Sequence, residues 1–204
     1  EAVAPMAEHP AHISLRELFR IVPTGVIGSA LVGLAHGSLI ALIAVYASRI
    51  GLDRHEIAIF VLMPTVGTLL FQLPISAAAD DIDRRAVGAL AALTAAVAAI
   101  VMVVLEPTSW YSFGAMAVLG GTTYPLYAIA AVASQLILLY GAGALTGPFL
   151  TSMLMSGLGT DGYLWALAAV HAVIALFLVL RMLQWRAPLT AKPWNEVAMA
   201  GRVF

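Results

Sequence analysis

From Trp110 to Gly157 the chain carries no acidic or basic side chain. That stretch is about two membrane crossings long, at roughly 20 apolar residues per crossing. Further charge-poor apolar runs occur before and after it, and each is close to one crossing in length. A soluble domain has no interior large enough to bury them all. The chain of 204 residues is 62% hydrophobic and 10% charged, whereas soluble domains carry about a quarter charged residues. An all-α integral membrane protein is expected, with six spans at approximately 22–48, 57–79, 86–105, 110–130, 132–157 and 162–180.

Other classes are set aside on composition. Without cysteine there are no disulfides, thiolate metal sites or cysteine nucleophiles. No basic cluster beyond Arg84-Arg85 suggests nucleic acid. No metal-ligand set, phosphate-cradling loop or carboxylate pair is apparent, so neither an enzyme nor a bound cofactor is expected. His9 and His12 sit in the polar lead-in, and Gly141-Ala-Gly143 falls inside a span.

Residues 1–20 read as a cytoplasmic linker, 21–184 as the bundle and 185–204 as a cytoplasmic tail. Glu1–Pro10 is too polar and acidic for a signal peptide, and the absence of an initial Met suggests a part of something longer. Ser14-Leu-Arg-Glu17 has capping-box spacing, and the residues after it suggest a short amphipathic helix at the membrane surface. Arg16, Arg20, Arg84, Arg85, Arg181, Arg186, Lys192 and Arg202 fall on one side of a six-span arrangement, against Arg49 and Arg54 on the other. The richer side is expected to be cytoplasmic, with both chain ends on it.

Two antiparallel spans within 110–157 need a turn, yet no polar or Gly/Pro turn lies between Leu126 and Ser134. A polar connection is therefore expected to be absent from this chain near Ala130 and Ala131, the alternative being one long bent helix. Small residues recur every fourth position at Gly25, Ser29, Gly33, Gly37 and Ala41, and again at Gly143, Gly147 and Thr151. Such stripes let helix backbones approach closely. Gly67 precedes Pro74, and Gly141 precedes Pro148, by the same interval. This faint repeat is compatible with two copies of a three-helix unit.

The most distinctive local feature is Gln72-Leu-Pro-Ile-Ser-Ala-Ala-Ala-Asp-Asp-Ile-Asp-Arg-Arg85, a charged hairpin between two apolar runs. It resembles the loop between the second and third helices of a half-transporter of the major facilitator superfamily (MFS). A poorly characterised bacterial branch has Gln72, Pro74, Ile75, Asp80, Asp83, Arg84 and Arg85 in register. The chain departs at Ser76, Ala77, Ala79 and Asp81, the last reversing a charge. Ser14–Arg20 looks like the lead into helix seven of that branch, Tyr124-Pro-Leu-Tyr127 like helix ten and Leu138–Pro148 like helix eleven. A polar loop separates those last two helices in the branch.

The resemblance covers about residues 14–184. It implies the C-terminal six-helix half of a twelve-helix transporter: a 3+3 inverted repeat in the bacterial cytoplasmic (inner) membrane. The expected partners are an N-terminal six-helix half, the lipid bilayer and a small-molecule substrate. The alternative is a membrane scaffold that keeps the fold without transporting.

Ionisable groups inside spans are functional candidates by default, and His36 and His171 lie well inside. The resemblance places the helix of His36 on the central cavity and that of His171 on the periphery. His36 is thus the candidate for substrate bonding or proton coupling, and His171 for packing. Gln72, Tyr124 and Tyr127 complete the candidate substrate site, with Tyr46, Gln135 and Tyr140 weaker. Asp80, Asp83, Arg84 and Arg85 are the candidate conformational gate, through ion pairs that form in one state and break in another.

Overall fold

A computed structural model describes residues 19–20, 23–105, 110–130 and 134–184. Six long helices follow in order: α1 (Pro23–Arg49), α2 (Arg54–Asp81), α3 (Arg84–Val104), α4 (Trp110–Ala130), α5 (Ser134–Leu158) and α6 (Gly162–Gln184). Among the described residues, five helices are long and apolar enough to cross a membrane. The connection expected near Ala130–Ala131 falls at 131–133, outside the described residues; three positions separate the two helices there. Of the expected linker helix only Phe19 and Arg20 are described, both helical and exposed; the tail lies outside the described residues.

Helix ends follow local chemistry. Asp53 caps α2: its Oδ1 accepts from the amides of His55 and Glu56 at 2.8 Å, and the Asp53 amide donates to Glu56 Oε2 at 2.8 Å. This reciprocal pair starts α2 at Arg54, earlier than the apolar run alone suggests. Asp83 caps α3, accepting from the Arg85 amide at 2.9 Å. Gly51 makes the turn after α1 at φ +89°, a left-handed conformation that suits glycine.

Sidedness here is set by residue size more than by polarity. The inner face of α3 is lined by Ala91, Ala92, Ala95, Ala96, Ala98 and Ala99, all buried, and it packs on α6. Its outer face carries Leu90, Leu93, Val97 and Val104, all at least half exposed. In water such a surface would be costly, whereas in hydrocarbon it is the ordinary exterior.

The dominant helix pairs are α1 with α5, α2 with α4 and α3 with α6. Exchanging the first three helices for the last three turns the first pair into the second and leaves the third unchanged. The all-helical bundle therefore has the 3+3 pattern at the level of helix pairing. The two small-residue stripes face each other: a Cβ at Gly33 or Gly37 would strike the backbone of Tyr140 or Ala144, and one at Gly143 or Gly147 would strike Ala30 or Leu34. Gly67 makes the corresponding close approach between α2 and α4, against Ala117. Gly141 faces open space. The likeness between Gly67 and Gly141 is thus one of spacing and not of packing.

Two apolar clusters fill the bundle. One joins Tyr46, Phe60, Met102, Met116, Leu119 and Tyr163, and the other joins Val32, Ala92, Leu126, Val170 and Leu178. Tyr46 stacks on Tyr163 at 4.8 Å, and Tyr163 donates to the Leu39 carbonyl at 2.8 Å.

Candidate functional site

A cavity of about 430 Å³ opens between α1, α2 and α4. His36, Leu39 and Ile40 line it from α1; Pro64, Thr65, Thr68, Leu69 and Gln72 from α2; and Gly120 from α4. Its depth follows from element length. His36 is the middle residue of the 27-residue α1 and Gly120 that of the 21-residue α4, while Thr68 is at the centre of the 28-residue α2. The three helices meet at the cavity halfway along their lengths.

Helical spacing puts Thr65, Thr68, Leu69 and Gln72 on one face of α2. Gly120 lets α4 come close to Pro64, because a Cβ there would strike the Pro64 Cα. Proline has no N–H, so the Phe60 carbonyl lacks its usual helical donor. The Thr68 hydroxyl donates to the Pro64 carbonyl at 2.9 Å and approaches that of Gly120 at 3.5 Å. His36 is half-buried, with its ring centroid 6.0 Å from that of Tyr140 on α5. Gln72 and Thr65 are exposed, so their polar groups are available to a bound molecule.

The expected site residues divide accordingly. His36 and Gln72, from different helices, line the same cavity. Tyr124 and Tyr127 lie on α4 beside the buried Pro125, and their side chains are outside the described residues. Thr65, Thr68 and Gly120 were not anticipated; counting back one and two helical turns from Gln72 reaches both threonines. His171 is fully buried elsewhere. Its Nε2 lies 2.8 Å from Thr123 Oγ1, and its Nδ1 donates to the Leu167 carbonyl at 2.7 Å, joining α6 to α4.

The charged hairpin forms a second, separate cluster, about two turns or ~12 Å along α2 from Gln72. Asp80 and Arg84 approach at 3.7 Å and are 75% and 66% exposed. Arg85 pairs with Asp83 at 3.3 Å and also donates to the Arg181 carbonyl at 3.3 Å. Arg181 in turn donates to Thr24 Oγ1 at 2.8 Å. The start of α1, the start of α3 and the end of α6 are thereby tied at one end of the bundle. Slight burial alone would raise the Asp83 carboxyl, but hydrogen bonds from the Arg85 backbone and side chain, with its charge, hold it below the usual range. Asp81 is exposed beside these pairs. Among the described residues, no three His, Asp or Glu side chains gather where they would hold a metal.

The chain is similar to curated MFS-type transporters. It is 28% identical over 175 residues to the uncharacterized MFS-type transporter YcaD of Escherichia coli (strain K12 / DH10B), a match covering 77% of this chain and 44% of that protein. It is 27% identical over 189 residues to the protein of the same name from Salmonella arizonae, covering 86% and 48%. The chain spans about half the length of the curated relatives it matches. No protein-family model matches it, and no solved structure does.

Proposed function

We infer from this likeness to MFS-type transporters, and from six helices that fit one half of that fold, that the chain works as the C-terminal half of a secondary transporter. It would carry a small molecule across the bacterial cytoplasmic membrane by alternating access, and its role is transport rather than catalysis. The cavity carries this reading: it brings two polar side chains, His36 and Gln72, together from separate helices at mid-span. Secondary transporters bind substrate near the membrane midplane, between elements that rock against each other.

Two further observations support the reading. Helices α2 and α5 are the least covered of the five candidate spans, and their outward leucines, Leu73, Leu138 and Leu145, suit a second six-helix half. The relatives are long enough to contain one. The ties from Asp83 through Arg85 and Arg181 to Thr24 hold three helix ends together, as a gate closed in one state would. The arginine-rich end that contains this gate is the cytoplasmic one on charge grounds.

The test is a ligand-dependent thermal-shift screen on the full-length protein in detergent, followed by proteoliposome flux for each hit. Flux of a stabilising ligand is the expected result. Stabilising ligands that never cross the membrane would favour the scaffold alternative.

A further inference from the structure

We propose that this cavity selects an uncharged, amphipathic solute, held by hydrogen bonds to Gln72, Thr68 and His36 and by apolar contact with Leu39, Ile40 and Leu69. The proposal rests on the transporter reading above and specifies its substrate class.

Chemistry, size and depth point the same way. Among the described residues, the lining contributed by this half contains no Asp, Glu, Lys or Arg. The exposed Gln72 amide offers two donors and an acceptor. The Thr68 hydrogen is already given to the Pro64 carbonyl at 2.9 Å, which leaves its oxygen as an acceptor. His36 adds a half-buried imidazole to the same wall. These groups satisfy hydroxyls and amides but supply no fixed counter-charge. An ion moved to mid-membrane without a partner loses hydration that a few neutral hydrogen bonds do not restore, whereas a hydrogen-bonded uncharged edge loses little. Leu39, Ile40, Leu69 and Pro64 add apolar wall and favour a solute with an apolar body. A volume of about 430 Å³ falls within the range that encloses drug-sized molecules.

Matched probes test the class on the full-length protein. Chloramphenicol is uncharged, its hemisuccinate is an anion and its deacylated amine is a cation. The 4-nitrophenyl β-glucoside and β-glucuronide differ only by a hydroxymethyl group against a carboxylate. Binding is read by thermal shift and calorimetry in detergent, and passage by flux in proteoliposomes. At least one uncharged member should bind at least tenfold more tightly than its charged counterparts. Gln72→Leu and Thr68→Val should each weaken that binding roughly three- to tenfold, as expected for one lost hydrogen bond. A charged member binding more tightly than its uncharged counterpart, or no binding by either uncharged member, overturns the class. Flux of the charged members alone would leave transport standing and the class wrong. Uncharged members that bind but never cross would leave the class standing and transport wrong.

Discussion

At the scale of single residues, the bundle contains matched side chains whose removal should have opposite effects. Tyr46 and Tyr163 are both fully buried and stacked, yet only Tyr163 donates a hydrogen bond, to the Leu39 carbonyl. The Tyr46 hydroxyl is buried without a partner among the described residues. Removing an unpaired buried hydroxyl relieves a desolvation cost, whereas removing a paired one loses about 0.5–1.5 kcal/mol. Thermal unfolding in detergent should therefore show Tyr46→Phe as stable as the parent or more so, and Tyr163→Phe destabilised by about that amount. Asp83 gives a pH signature. Its folded carboxyl titrates below its ordinary value: burial, the largest single effect, raises it, but the hydrogen bonds and charge of Arg85 together outweigh burial. A depressed pKa contributes stability above the unfolded value, near 3.9, and that contribution is lost as pH falls through the folded value. Asp83→Ala should be less stable than the parent at pH 7, and the gap should narrow below about pH 4. A gap independent of pH would mean that Asp83 acts only as an uncharged cap.

At the scale of helices, two glycines with the same spacing to a following proline meet different surroundings. A Cβ at Gly67 would collide with the Ala117 backbone, which a rigid helix cannot easily yield, while one at Gly141 meets nothing within 4 Å. Gly67→Ala should cost about 1–3 kcal/mol through overpacking, read as a lower unfolding temperature. Gly141→Ala should leave that temperature unchanged or raise it, since alanine favours the helix. Equal losses at both sites would contradict the α2–α4 packing. The same comparison explains what was legible in the chain. Charge-free runs declare helices because lipid tolerates little else, and the four-residue stripes declare a close helix contact. Which helix each stripe meets depends on the tertiary arrangement, and the sequence spacing of Gly67 and Gly141 misleads because it says nothing about the opposing surface. The cavity was half legible for a related reason. His36 and Gln72 stand out as polar groups among apolar neighbours. Thr68 does not, because threonines in spans commonly bond their own preceding turn, as Thr68, Thr94, Thr122, Thr123 and Thr146 all do here.

At the scale of the whole molecule, the bundle combines three features: paired helices in a 3+3 pattern, a mid-span cavity between α1, α2 and α4, and a charged tie at one end. The two histidines have different surroundings. His171 is buried between α4 and α6 with partners at both ring nitrogens, while His36 is half-buried on the cavity wall. The direct measurement is substrate flux by the full-length protein in proteoliposomes across a pH series, comparing the parent with His36→Ala. The account predicts that His36→Ala changes the uptake rate or its pH dependence while the unfolding temperature of the protein stays near that of the parent. Uptake unchanged at every pH would contradict the assignment of the cavity as the substrate site.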